Sequence, residues 1–237
     1  VLDVETTGLN TAADRIIEIA VVRCSPSGQK ISEWSSLVNP DRDPGPTHIH
    51  GITAQALADA PKFFEIAPEL RRQLDGTIFT AHNLAFDAAF VAREFAEAGA
   101  PPLDGFGLCT LELVRAARPG RRKYSLATCA EELEIPHPDA HRALGDALVT
   151  AEMLRILLQT IPRGPFPWPR HRLRLVCSAA SPRHPQAAGS SRQKNTSTHV
   201  SDDAFGNTPT GTTSRNLVVL SRWAAIGQPH RRRHPTD

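Results

Sequence analysis

The sequence lacks any apolar run long enough to span a membrane, and its start shows no charged segment leading into an apolar one. A spanning helix needs about 20 apolar residues, so neither an anchor nor a secretory leader is expected. Cysteine is scarce. The four present (Cys24, Cys109, Cys129 and Cys177) lie far apart with no CxxC pair. That spacing argues against a zinc site or a disulfide framework and fits a reducing, cytoplasmic setting. No internal repeat is visible. Positive charge is in short supply over residues 1–161, which carry 15 Lys and Arg against 22 Asp and Glu, a net −7. A broad anion-binding groove is not expected there.

What is present falls into two unlike parts. Of the 237 residues, 162–237 carry 12 basic and 3 acidic groups, a net +9, so the near-neutral total conceals a split. The boundary falls at Ile161-Pro162, where a helical pattern runs into "PRGPFPWPRHR". Residues 162–237 form a Pro-, Arg- and Ser-rich basic tail with few regularly spaced apolar residues. Such a segment buries too little surface to offset its ordering entropy, so disorder is the expectation. A segment that docks on a partner or on nucleic acid, and an artefactual end, are the other readings. "RHRLRLV" and "HRRRH" are basic enough to touch phosphate, although charge runs are commonly just solvated. Residues 1–161 form the folded domain. Only Val1 and Leu2 precede the first acid, whereas a strand averages about 5–6 residues, so the first strand reads as truncated.

The domain opens as a three-stranded meander: "VLDVE", then the Ile- and Val-rich "RIIEIAVVRC", then "KISEWSSLV". A Pro-rich loop, "NPDRDPGPTHIHGIT", follows. Then come a helix in "FFEIAPELRRQL", with Pro68 as its kink or start, a short strand in "GTIFTAH", and an amphipathic helix in "AFDAAFVAREFAEAG". "GLCTLELVRAA" runs from strand into helix, "SLATCAEELEI" is a helix capped by Ser125, and "HRALGDALVTAEMLRILL" is the last. The expected architecture is α/β: a mixed five-stranded sheet flanked by helices.

Two acids on the first strand need explaining. Asp3 and Glu5 are two residues apart and share a face, while Val4 points the other way. Two anions about 4 Å apart repel by on the order of 4 kcal/mol at an effective dielectric of about 20, so something positive is expected between them. "TTG" then turns the chain at the strand end, where sites in α/β sheets gather. Asp87 lies where a strand passes into a helix, and Asp146 lies in the first turns of the last helix among Ala143, Gly145 and Ala147. Together the four acids offer the oxygen ligands that hard cations such as Mg²⁺ or Mn²⁺ prefer. His141 precedes Asp146 by five residues. Within one regular helix the two would face different ways, so His141 must lie at or before the helix start if it shares the site. A neutral imidazole there can take a proton from water.

Three stretches carry a resemblance: Asp3-x-Glu5-Thr6-Thr7-Gly8, Ala81-His82-Asn83-x-x-Phe86-Asp87, and His141-x-x-x-x-Asp146. In this order they resemble the exonuclease motifs of the DEDDh group of DnaQ-like 3′–5′ exonucleases, which includes the epsilon proofreading subunit of bacterial DNA polymerase III. "IHGIT" at 49–53 is similar to a loop of the same family. The resemblance covers residues 1–160. It implies a ribonuclease-H-like fold and two divalent metal ions, Mg²⁺ or Mn²⁺, held by Asp3, Glu5, Asp87 and Asp146, with Asp3 bridging and His141 as the base. It further implies release of nucleoside 5′-monophosphates from single-stranded DNA 3′ ends, with replication proofreading beside a DNA polymerase subunit as the expected setting. Thr6, Thr7, Gly8, Leu9, His50, Ile52, Asn83 and Phe86 are the candidate substrate contacts, Phe86 being equally a core residue. An RNA-trimming enzyme of the same group, a catalytically idle polymerase-recruiting module, and a phosphoesterase acting on small nucleotides are the rival readings.

Overall fold

A computed structural model describes residues 1–161 and the strand at 170–175. The first three strands are β1 (Leu2–Thr6), β2 (Ile16–Cys24) and β3 (Lys30–Leu37), paired antiparallel in the order β1-β2-β3. β1 alternates as a strand between two helical layers must. Leu2 and Val4 are buried on one face; Asp3 and Glu5 project from the other. The register sets Asp3 opposite Ala20 and Glu5 opposite Glu18, with an irregularity after Glu5 where the strand ends.

The Pro-rich segment expected as loop holds two short helices, α1 (Thr47–His50) and α2 (Ala54–Ala58). Gly51, at φ 70°, turns the chain between them, and Thr53 caps α2 through Ala56 N–H. α3 (Phe63–Leu74) continues through Pro68, so Pro68 does not begin it. β4 (Ile78–Ala81) leads into α4 (Leu84–Glu97), and β5 (Leu103–Cys109) pairs parallel with β4. α5 (Thr110–Ala117), α6 (Leu126–Glu132) and α7 (Ala143–Thr160) follow. Ser125 caps α6 as expected, accepting from Thr128 N–H at 3.3 Å.

A sixth strand, β6 (Arg170–Leu175), pairs antiparallel with β5. Five strands were expected, and this one lies in the segment read as disordered tail. Its composition hid it: an edge strand has one partner and tolerates charge at alternate positions. The remainder of the tail, including 216–227 and Cys177, lies outside the described residues. The six strands form two hydrogen-bonded groups, β1-β2-β3 and β4-β5-β6, with β1 beside β4.

Helices cover both faces. Leu2, Val4, Ile19 and Val21 pack against Phe63, Ile66 and Leu70 of α3 and Phe90, Val91 and Phe95 of α4. On the other side Leu108 joins Leu113 and Val114 of α5, Cys129 of α6, and Met153, Leu154 and Leu157 of α7. α7 crosses the acidic face of β1 and β2 on small residues: Ala143, Ala147 and Ala151 lie against Ala20 and Val22. Short side chains let the helix axis approach the sheet closely, and that approach positions the site. Among the described residues no helix is long and apolar enough to cross a membrane.

Candidate active site

Asp3 and Glu5 face α7 because Leu2 and Val4 are claimed by the opposite core. Asp146 comes to them on the first turn of α7, whose start is fixed by two devices. Glu18, buried opposite Glu5, accepts from Ala143 N–H at 2.9 Å and takes both arms of Arg142, at 2.6 and 3.0 Å. A carboxylate there satisfies an open helix N–H and complements the helix dipole. Gly145 provides the second: a Cβ at that position would lie 2.3 Å from the Asp139 carbonyl oxygen, so only glycine lets the 137–141 turn fold back on α7.

The result is a cluster in which Asp3, Glu5 and Asp146 each offer one oxygen within 4.8 Å of the others. Asp87, buried in the first turn of α4, lies beside this trio, its carboxylate met by its own and the Val4 backbone groups. The charges strain one another. Burial, then Asp87, Asp146, Glu5 and Glu18, push Asp3 well above the ordinary carboxylate range. Burial raises Asp87 likewise. Glu5 is pushed up to about 7 by burial, Asp146 and Glu18, against a smaller opposing pull from Arg142. Carboxylates packed this closely repel one another, and added positive charge between them would relieve that repulsion. An all-oxygen, electron-rich donor set of this kind fits hard divalent cations.

His141 does stand before α7, at φ 62°, with Arg142 between it and the helix. Its backbone N–H donates to Asp146 Oδ1 at 3.3 Å, while the residue itself is exposed. The imidazole that touches Asp146 belongs to another histidine. His137 Nε2 lies 2.6 Å from Asp146 Oδ1. Sequence reading missed it and Glu18. His137 lay in view in "HPDAH", but only the folded turn shows which ring points inward.

The candidate substrate contacts divide. The Thr6 hydroxyl donates to Gly8 O at 2.7 Å. The Thr7 hydroxyl donates to Asp14 and accepts from Arg15 N–H, both at 3.1 Å, so it is already spent on the turn. Gly8 lies so close to Asp14 that a Cβ would sit 2.4 Å from its carboxylate. Leu9 projects from this braced turn, 84% exposed. Asn83 takes the left-handed φ of 76° that admits Asn readily, and turns β4 into α4. Phe86 packs on Phe90, centroids 4.9 Å apart, at the margin of the core. Ile52 is buried among Ile17 and Leu57. His50 is buried too, its Nδ1 accepting from Ile52 N–H at 3.0 Å, while Nε2 has no hydrogen-bond partner among the described residues.

A mixed sheet with helices on both faces, and acids from its first strand meeting an acid on its last long helix, is a ribonuclease-H-like fold carrying an acidic site. The family model described as "Exonuclease" matches residues 1–154, and the chain belongs to this DnaQ-like exonuclease family. It is similar to "3'-5' exonuclease DinG" of Bacillus subtilis, 37% identical over 171 residues, covering 70% of this chain and 18% of that protein. It is 36% identical over 160 residues to "DNA polymerase III subunit epsilon" of Treponema pallidum, covering 66% of this chain and 74% of the relative. A solved structure described as "Exonuclease X in complex with 5' overhanging duplex DNA" aligns at TM-score 0.55 and 32% identity, over 68% of this chain and 90% of the other.

Proposed function

We propose that this chain is a metal-dependent 3′–5′ exonuclease that releases nucleoside 5′-monophosphates from single-stranded DNA ends. The observation that carries the reading is the convergence of Asp3, Glu5 and Asp146, each with an oxygen within 4.8 Å of the others, in a chain of exonuclease family. Asp3, Glu5, Asp87 and Asp146 would hold two divalent ions, Mg²⁺ or Mn²⁺. Bound there, the ions supply Lewis-acid stabilisation of charge on the attacking and leaving oxygens.

The chain's own residues do the rest. His141, exposed at the start of α7 and tied by its backbone to Asp146, takes a proton from the attacking water. Arg142 and Glu18 hold that start in place. The turn braced by Asp14 presents Leu9 as an apolar surface for the terminal base, since single strands are held largely by stacking. Association with a DNA polymerase and a role in proofreading are supported by the Treponema relative, whose length this chain largely spans.

The test is digestion of 3′-labelled and 5′-labelled single-stranded DNA, with matched RNA, in Mg²⁺, Mn²⁺ or excess chelator. Mononucleotides should leave the 3′ end only, and only with metal. Asp3→Ala should abolish release with the circular dichroism spectrum unchanged, and His141→Ala should lose at least about a hundredfold in kcat. Internal cuts, or undiminished digestion in chelator, would refute the reading.

A further inference from the structure

The distribution of unpaired positive charge is uneven. Each of the ten Lys and Arg side chains of residues 1–161 outside 115–123 has a carboxylate or carbonyl partner. The other five sit within 115–123, in "RAARPGRRK". Arg121 pairs with Glu132, and the Arg115 guanidinium lies over the Tyr124 ring, 5.5 Å from its centroid. Arg118, Arg122 and Lys123 make no side-chain hydrogen bond or ion pair among the described residues, and Arg122 and Lys123 are exposed.

This segment is held firmly, unlike an idle solvated run. The only tyrosine of the chain fastens it. The Tyr124 hydroxyl accepts from Arg121 N–H and donates to Arg118 O, each at 3.1 Å, closing the turn on itself. The Tyr124 carbonyl accepts from His82 Nε2–H at 2.8 Å. His82 follows β4 directly, stands one residue before Asn83, and lies within electrostatic reach of Asp146. The unpaired cations are thus attached to the same end of the sheet as the carboxylates, on a domain whose net charge is −7 even with them counted. A polyanion meeting that domain needs a local cationic contact, and this turn is where the described structure leaves cations free to make one.

We propose that Arg118, Arg122 and Lys123 bind backbone phosphates of the substrate strand, 5′ to the nucleotide that reaches the carboxylates. The inference rests on the exonuclease reading and adds to it that the substrate is a strand several nucleotides long, gripped by its backbone. Each phosphate neutralised on a single strand contributes about −0.7 to the slope of log affinity against log salt. At 0.1 M salt that amounts to about fivefold in affinity per contact, and about 25-fold for two.

The double variant Arg122→Ala/Lys123→Ala removes two exposed side chains that have no hydrogen-bond or ion-pair partner among the described residues. Its hydrolysis of (dT)12 in Mn²⁺ should show KM raised about 25-fold at 0.1 M salt with kcat retained, and a salt slope smaller by about 1.4. The effect should be confined to the long substrate and absent with the p-nitrophenyl ester of thymidine 5′-monophosphate, which has no further phosphates. The charge-conserving Arg122→Lys/Lys123→Arg should restore KM. Unchanged KM and salt slope on (dT)12 would overturn the proposal, as would an equal loss on both substrates. Should the wild-type chain hydrolyse neither substrate, the exonuclease reading fails on its own. Fluorescence anisotropy of labelled (dT)12 in chelator then tests the turn separately, with the same loss and slope expected and an unchanged isotherm refuting it.

Discussion

Replacing Glu5 by glutamine should stabilise the metal-free protein at neutral pH. Burial, Asp146 and Glu18 raise the Glu5 pKa from 4.5 to about 7. Between those values the folded protein keeps a proton that the unfolded chain has released. Stability therefore falls as pH rises from about 4.5 to about 7, and stays reduced above it. At full strength this difference corresponds to about 3 kcal/mol, and because Glu5 is only half-buried on the order of 2 kcal/mol should remain after solvent screening. For a domain of this size that is about 4–8 °C in Tm. The assay is thermal unfolding of wild type and Glu5→Gln in EDTA from pH 5 to pH 8. The wild-type Tm should fall relative to the variant across that range, and saturating Mn²⁺ should restore the wild type more than the variant. Parallel curves in EDTA would refute the electrostatic account of the site.

Other outcomes follow from the start of α7. Gly145→Ala inside a helix would ordinarily gain about 1 kcal/mol. Here the new Cβ would meet the Asp139 carbonyl oxygen at 2.3 Å, so urea unfolding should show a loss of about 1–3 kcal/mol, and a gain would refute the close approach. Arg142→Met leaves Glu18 buried with only Ala143 N–H, and should cost about 1–2 kcal/mol in urea, moderated because Arg142 is half exposed. It should also move the Glu5-linked fall in stability to higher pH, since Arg142 opposes the rise at Glu5. An unmoved pH profile would show that the two carboxylates do not share a field.

The regular elements were legible where side-chain periodicity is strong. β2, α4 and α7 stand where their apolar patterns put them. β6 was not legible, because Arg and Pro dominate its neighbourhood and pairing with β5 supplies what composition withheld. α1 and α2 are too short to show a period. At the site, the convergence of Asp3, Glu5 and Asp146 and the placement of His141 before the helix could be read in advance. Glu18 could not: in sequence it is one acid in a buried strand, and its meaning depends on Arg142, 124 residues away. Nor could His137, whose ring rather than that of His141 meets Asp146.

By itself the sequence determined which face the acids of the first strand share, because their alternation with Val4 dictates it. It determined the two-sided core as well, through the apolar runs of the strands and the stripes of α4 and α7. Only the tertiary structure decided how near the acids come to one another. That distance is set by backbone contacts between segments remote in the chain: alanines that let α7 settle onto β1 and β2, and a glycine that admits the 137–141 turn. It also decided which cations stay free and where, because ion pairing depends on which acids the fold brings within reach, and no local pattern of charge records that.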